Sequence, residues 1–169
     1  MKLHVDGSRI SLRPAIDTDE QFLRSLYYNV RAPELALVPW SEEQRVQFAN
    51  SQFDAQTSHY RIHYSTASFD IVEVDNIPAG RFTIDYGSSE ITIVDMALIP
   101  EYRNQGIGTS LLLPLLARSE RENKKIVLHV EVFNPAMHLY GRLGFNITAT
   151  DNVYYSMERV PQMPSAALC

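Results

Sequence analysis

Residues 103–109, RNQGIGT, place Gly106 and Gly108 two apart, between an apolar run, ITIVDMALIP (91–100), and a leucine-rich run, TSLLLPLLA (109–117). A strand, a tight turn and a helix start are expected in that order. Such a turn aims backbone N–H groups at one point, and the helix start adds the positive end of its dipole. The chemistry on offer is therefore the binding of an anion such as a phosphate. Two familiar phosphate loops do not fit. A dinucleotide fingerprint needs glycine where Leu111 stands, and a P-loop needs a lysine where Thr109 follows Gly108. A glycine-rich helix start that binds nothing fits the turn equally well when the turn is taken alone. A second stretch, VEVFNPAMHLYGRLGF (130–145), sets Asn134 at the end of a strand and Tyr140 six residues on, in a short helix closing with Leu143, Gly144 and Phe145.

The rest of the chain must position these residues. With 169 residues, 45% apolar and 21% charged, it reads as one domain over 1–160 with a frayed tail over 161–169. The net charge of −5 argues against a nucleic-acid partner, because phosphate-backbone binding needs a basic face. The start, MKLHVDGSRI, lacks the apolar core of a signal peptide, and no run approaches the ~18 apolar residues of a membrane span. The single cysteine, Cys169, allows neither an internal disulfide nor a cysteine metal cluster, and no metal is expected. These features fit a cytoplasmic protein without a membrane partner.

Alternating elements follow from the hydrophobic pattern. RISLRPA (9–15) reads as a strand. Asp17 or Thr18 can cap a helix running to about Val30, with Phe22, Leu23, Leu26 and Tyr27 on one face. RAPELALVPW (31–40), with two prolines, reads as a loop. Ser41 and Gln44 form a capping-box signature for a second helix carrying Ala49, Phe53, Tyr60 and Tyr64 on one stripe. SFDIVEVD (68–75) and RFTIDY (81–86) are strands around a turn over NIPAG (76–80), and GSS (87–89) turns into the strand before the glycines. A helix to about Asn123 is expected to kink at Pro114. KIVLHVEVF (125–133) is a strand, 134–145 a short helix, and 146–159 a closing hairpin. The order β α α β β β α β α β β implies a mixed α/β sheet covered by helices on both faces.

The paired signatures Tyr102-Arg103-x-x-Gly106-x-Gly108 and Asn134-Pro-Ala-x-x-Leu-Tyr140-x-x-Leu-Gly-Phe145 resemble the GNAT N-acetyltransferase superfamily. The resemblance covers about residues 9–159. It implies a mixed, mostly antiparallel sheet with helices on both faces and a splay between the fourth and fifth strands. It also implies acetyl-CoA as cosubstrate. The turn would cradle the pyrophosphate of coenzyme A through main-chain N–H groups of Asn104, Gln105, Gly106, Ile107, Gly108 and Thr109, with Arg103 beside it. The glycines would let the backbone approach the phosphates where a side chain would collide. Met96, Ala97 and Leu98 match the strand positions that hydrogen-bond the pantetheine arm, and Asn134 matches a pantetheine contact. Core packing and a helix N-cap are the alternative readings of these positions, and neither excludes the cofactor role.

The implied reaction is attack of a neutral amine of a small molecule or peptide on the thioester. Tyr140 matches the family's general acid to the leaving thiolate; the alternative is a core aromatic. His129 stands where some relatives acting on protein N-termini carry a Glu, and an imidazole suits base work near neutral pH. A half-exposed strand histidine is the plain alternative. Asp95, Glu131 or an ordered water chain could also serve. The family admits its acceptor near the first two helices, which makes Glu34 and Trp40 the acceptor-side candidates. A protein N-terminal or lysine acetyltransferase, or an acyl-CoA-binding regulatory module without turnover, are the other readings, with a monomeric or homodimeric state.

Overall fold

The computed structural model describes Leu3–His4 and residues 9–162, and residues 163–169 of the expected tail lie outside that range. Two compact units divide the chain. One holds everything up to Thr83 together with Asp95–Gln105, and the other holds Ile84–Val94 together with the chain from Gly106 onward.

In the first unit, β1 (Leu3–His4) pairs antiparallel with β2 (Ile10–Pro14), which pairs antiparallel with β3 (Ser68–Val74). β4 (Ile77–Tyr86) follows after Asp75 and Asn76, whose φ angles of 51° and 67° make a type I′ turn matched to strand twist. The turn is therefore shorter than the 76–80 expected, because two left-handed residues suffice to reverse the chain. β5 (Glu90–Leu98) completes the order β1-β2-β3-β4-β5 in this unit. The last turn of β5 is laid on β4, with the Ile99 N–H donating to the Ala79 carbonyl at 2.9 Å. Gly80 permits this approach, since a Cβ there would run into the Ala97 carbonyl oxygen.

The helices of this unit depart from expectation at their ends. α1 (Glu20–Leu35) is entered through a 3-10 turn at Asp17–Asp19. Asp19 closes that turn, rather than Asp17 or Thr18, by accepting the Ile16 N–H at 2.8 Å. Arg13 holds it there with a two-pronged contact, both distances 2.8 Å, and uses its Nε on Glu73. At the other end α1 runs five residues past Val30, through Pro33, so Arg31–Leu35 is helix and not loop. The helix survives because Ala36 still donates to Ala32, and because Leu35 buries itself beside Tyr27, Ala49 and Phe53. α2 (Glu42–His63) begins with the expected capping box, Ser41 and Gln44 satisfying each other's N–H groups at 3.2 and 2.9 Å. Ala49 and Phe53 are buried as its stripe predicts, and Tyr60 and Tyr64 are half-buried.

The Arg13 contact keeps the Asp19 carboxyl below the usual carboxylate range. A depressed folded pKa adds stability above the unfolded value, near 3.9, and that stability is lost as pH falls through the folded value. Asp19→Asn should therefore destabilise the protein by about 2 kcal/mol at pH 7. Its difference from wild type should shrink toward pH 2 in denaturant titrations. A deficit of equal size at both pH values would show that shape, not charge, is what Asp19 supplies.

In the second unit the order is β4-β5-β6-β8-β7. β6 (Lys125–Glu131) runs parallel to β5 through Glu90↔Lys125 to Ile93↔Leu128, where their register ends. β6 continues to Glu131 against β8 (Tyr154–Arg159), and β7 (Asn146–Thr150) pairs with β8 on its other side. α3 (Ile107–Glu122) packs on β6, burying Ile107, Leu111, Leu112 and Leu115 while Ile126, Leu128 and Val130 alternate inward from the strand. It continues as helix through Pro114 and stops at Asn123, a left-handed C-cap with φ 51°. α4 (Ala136–Arg142) is short and ends at Gly144, whose φ is 93°. Among the described residues no helix is long and apolar enough to cross a membrane.

Candidate functional site

The turn before α3 forms as Gly106 dictates. Asn104 and Gly106 are both left-handed, with φ 59° and 78°, and Gly106 is the N-cap of α3. No side chain caps this helix, so its first N–H groups are left for a ligand. A Cβ built at Gly106 meets nothing within 4 Å, which marks open space above the turn. Ile107 turns its side chain into the core, so only its backbone faces outward. Ser110 returns its hydroxyl to the Gly106 carbonyl at 3.1 Å and stiffens the first turn.

The residues before the turn are held locally. Arg103 is exposed and donates from Nε to the Leu98 carbonyl at 2.9 Å, which leaves its outer nitrogens to solvent. Gln105 folds its amide back onto the Glu101 carbonyl at 2.6 Å. The strand leading to them changes character along its length. Ile91 and Ile93 are buried, whereas every residue from Val94 to Leu98 is half-exposed. Met96, Ala97 and Leu98 are therefore only partly buried.

In the second unit Asn134 is the helix cap that sequence allowed. Its Oδ1 accepts the Ala136 N–H at 2.9 Å, and that bond leaves both N–H groups of the amide for other partners. Tyr140 is 5% exposed on α4, with its ring edge-on to Phe145 at 5.5 Å and the Phe145 N–H bonded to the Tyr140 carbonyl. The Leu143-Gly144-Phe145 ending thus serves to wrap the chain around the Tyr140 ring. His129 is exposed on β6, its Nδ1 3.0 Å from the Ser156 hydroxyl. That contact fixes the ring and keeps Nε2 outward.

The two acceptor-side candidates are separated by the end of α1. Glu34 is helical and exposed, 3.3 Å from the Arg31 guanidinium. Trp40 stacks at 5.2 Å on Phe48 and lines an open hollow of about 370 Å³ with Gln44, Gln47, Phe48 and Ser51. Sequence reasoning missed Arg81, which pairs with Asp95 and donates to Gln56 inside the first unit. The available signal was an arginine at the head of the strand RFTIDY, next to the apolar Phe82. Among the described residues no three His, Cys, Asp or Glu side chains gather to hold a metal ion.

Comparison with known proteins places the fold. Among solved structures, the chain superposes on an N-acetyltransferase, PaiA, from Thermoplasma acidophilum in complex with coenzyme A, with a TM-score of 0.68 at 20% identity, covering 89% of this chain and 98% of that one. It also superposes on the ribosomal-protein-S18-alanine N-acetyltransferase of Escherichia coli, with a TM-score of 0.59 at 21% identity, covering 95% and 99%. These likenesses define an α/β fold of the GNAT type, with a mixed, mostly antiparallel sheet. The model of the acetyltransferase (GNAT) family matches residues 29–145, and the chain belongs to that family. An N-alpha-acetyltransferase of Sulfurisphaera tokodaii is 33% identical over 105 residues, which span 53% of this chain and 63% of that relative.

Proposed function

We propose that the protein is an acetyl-CoA-dependent N-acetyltransferase acting on the N-terminal amine of a peptide or protein. The observation that carries the reading is the uncapped start of α3, with left-handed Gly106 and open space above it, directly after a strand that is half-exposed at Met96–Leu98. A pyrophosphate fits the first feature and an extended amide-bearing arm the second. The acceptor class is supported by the relatives, one called an N-alpha-acetyltransferase and another a ribosomal-protein alanine N-acetyltransferase.

In this reading the N–H groups of Asn104–Thr109 and the outer nitrogens of Arg103 hold the phosphates. Backbone groups of Met96–Leu98 and the amide nitrogen of Asn134 hold the arm. The amine nitrogen bonds to the acetyl carbon, the carbon–sulfur bond breaks, and the amine gives up a proton. Tyr140 donates a proton to the departing thiolate, and His129, with Nε2 facing outward, takes the proton from the amine.

A thiol-release assay with acetyl-CoA tests this over N-terminal peptides, lysine-bearing N-blocked peptides, polyamines, amino acids and aminoglycosides. Release with free N-terminal peptides, abolished by N-terminal blocking, is the expected result. Release only with polyamines or aminoglycosides overturns the acceptor class, and binding of acetyl-CoA without release from any amine overturns the enzyme. On the acceptor side, Trp40→Ala and Glu34→Gln should each raise the acceptor KM about threefold to tenfold and leave that for acetyl-CoA unchanged. If Trp40 only packs against Phe48, its variant will lower the melting temperature and leave both KM values as they were.

A further inference from the structure

The C-terminal end of α2 carries two histidines that acetyl transfer does not use. His59 and His63 stand one helical turn apart and share a face of the helix. Both are exposed. Their rings lie side by side, with centroids 4.2 Å apart and planes inclined at 44°. His59 also meets the Tyr60 ring at 6.1 Å. Among the described residues neither imidazole takes part in a hydrogen bond or an ion pair, so their nitrogens stand open to a ligand.

Core packing does not account for the pair, since neither ring is buried. A neutral imidazole has one nitrogen that donates and one with a free lone pair. Four-residue spacing on a helix is the arrangement by which two such lone pairs grip one metal ion. Nitrogens about 2 Å from a shared ion bring their rings to within about 5 Å of each other, so small side-chain rotations suffice here. The surroundings also favour a cation. The pair closes α2, and the end of a helix carries the partial negative charge of its dipole. Ala55, Gln56 and Ile62, one turn from His59, carry no charge. Arg61 is two residues from each histidine and therefore lies about 200° round the helix from both.

We propose that His59 and His63 form a binding site for a late first-row divalent cation such as zinc or nickel. Each ring gives one nitrogen, and water completes the coordination. Imidazole suits these ions, whereas magnesium and calcium take oxygen ligands. Two protein ligands make an open surface site and not a closed structural centre, in keeping with the lack of any three such side chains together among the described residues. The site is independent of the transferase reading above.

Calorimetric titration of the untagged, chelator-treated full chain with zinc chloride, nickel chloride or magnesium chloride tests it. Zinc and nickel should each show one tight equivalent, and magnesium none. His59→Ala and His63→Ala should each weaken that equivalent about a hundredfold, because the second ring binds at the high local concentration set by the first. Both positions are exposed and alanine is a strong helix former, so the variants should fold and melt near the wild-type temperature without metal. His138→Ala, at an exposed histidine of α4, should leave the affinity unchanged. The lack of a tight equivalent in the wild type overturns the site. So does an affinity that survives in His59→Ala or His63→Ala, or one that falls as far in His138→Ala. The readout is binding alone, so it stands whether or not any amine is acetylated.

Discussion

Gly108→Val should abolish the thermal stabilisation that acetyl-CoA or CoA gives the protein. A ligand bound only to the native state stabilises it by about 2.7 kcal/mol when present at a hundred times its Kd. For a chain of this size that is a shift of several degrees, easily read in a melting curve. Gly108 is the second residue of α3, in helical conformation, and half-exposed above the turn. Valine is therefore accepted by the backbone, and its helix propensity exceeds that of glycine by a few tenths of a kcal/mol. The variant without ligand should melt at or slightly above the wild-type temperature. Its two extra methyl groups fill the space in which the phosphates would approach the N–H groups of the turn. The two effects have opposite signs, which separates binding from folding. Gly106→Val is a less clean test, since φ 78° strains any β-branched residue there before a ligand is considered. Gly106→Asn tolerates that φ and serves as the control for strain. A full CoA shift in Gly108→Val would remove the turn from the cofactor site.

The parts of the site that were legible in sequence are those whose chemistry is local. Gly106 announces a turn because few other residue types adopt its left-handed backbone so cheaply, and Asn134-Pro135 announces a helix start for the same kind of reason. Ser41 and Gln44 satisfy each other across three residues, so their capping box could be read directly. What could not be read depends on partners far along the chain. Pro33 looked like a helix breaker, and locally it is one. Burial of Leu35 against Ala49 and Phe53 outweighs that cost, and only the packing of α1 on α2 reveals it. Asp19 displaced Asp17 and Thr18 as the capping group because Arg13, itself held by Glu73 on the neighbouring strand, fixes it. Arg81 reached Asp95 and Gln56 through strand pairing and helix placement that no spacing in the sequence encodes.

Tyr140→Phe should lower kcat by about 10²-fold, the low end of what a positioned general acid contributes. The low end is chosen because a thiol of pKa about 8.5 leaves without much help. The substitution is well matched to the structure. The Tyr140 ring is 5% exposed and packs edge-on to Phe145, and phenylalanine keeps that ring and its contacts. Only the hydroxyl is deleted, so the melting temperature should move by no more than a few degrees. If the hydroxyl acts when the thiolate forms and not before, the bound state of acetyl-CoA does not use it. The Kd for acetyl-CoA should then stay within about twofold of wild type while kcat and kcat/KM fall together. A steady-state rate limited by product release would hide the effect, so the decisive measurement is a single turnover with enzyme in excess over acetyl-CoA. A single-turnover rate equal to wild type would leave Tyr140 as the aromatic around which Leu143, Gly144 and Phe145 fold, and the proton for the thiolate would have to come from water.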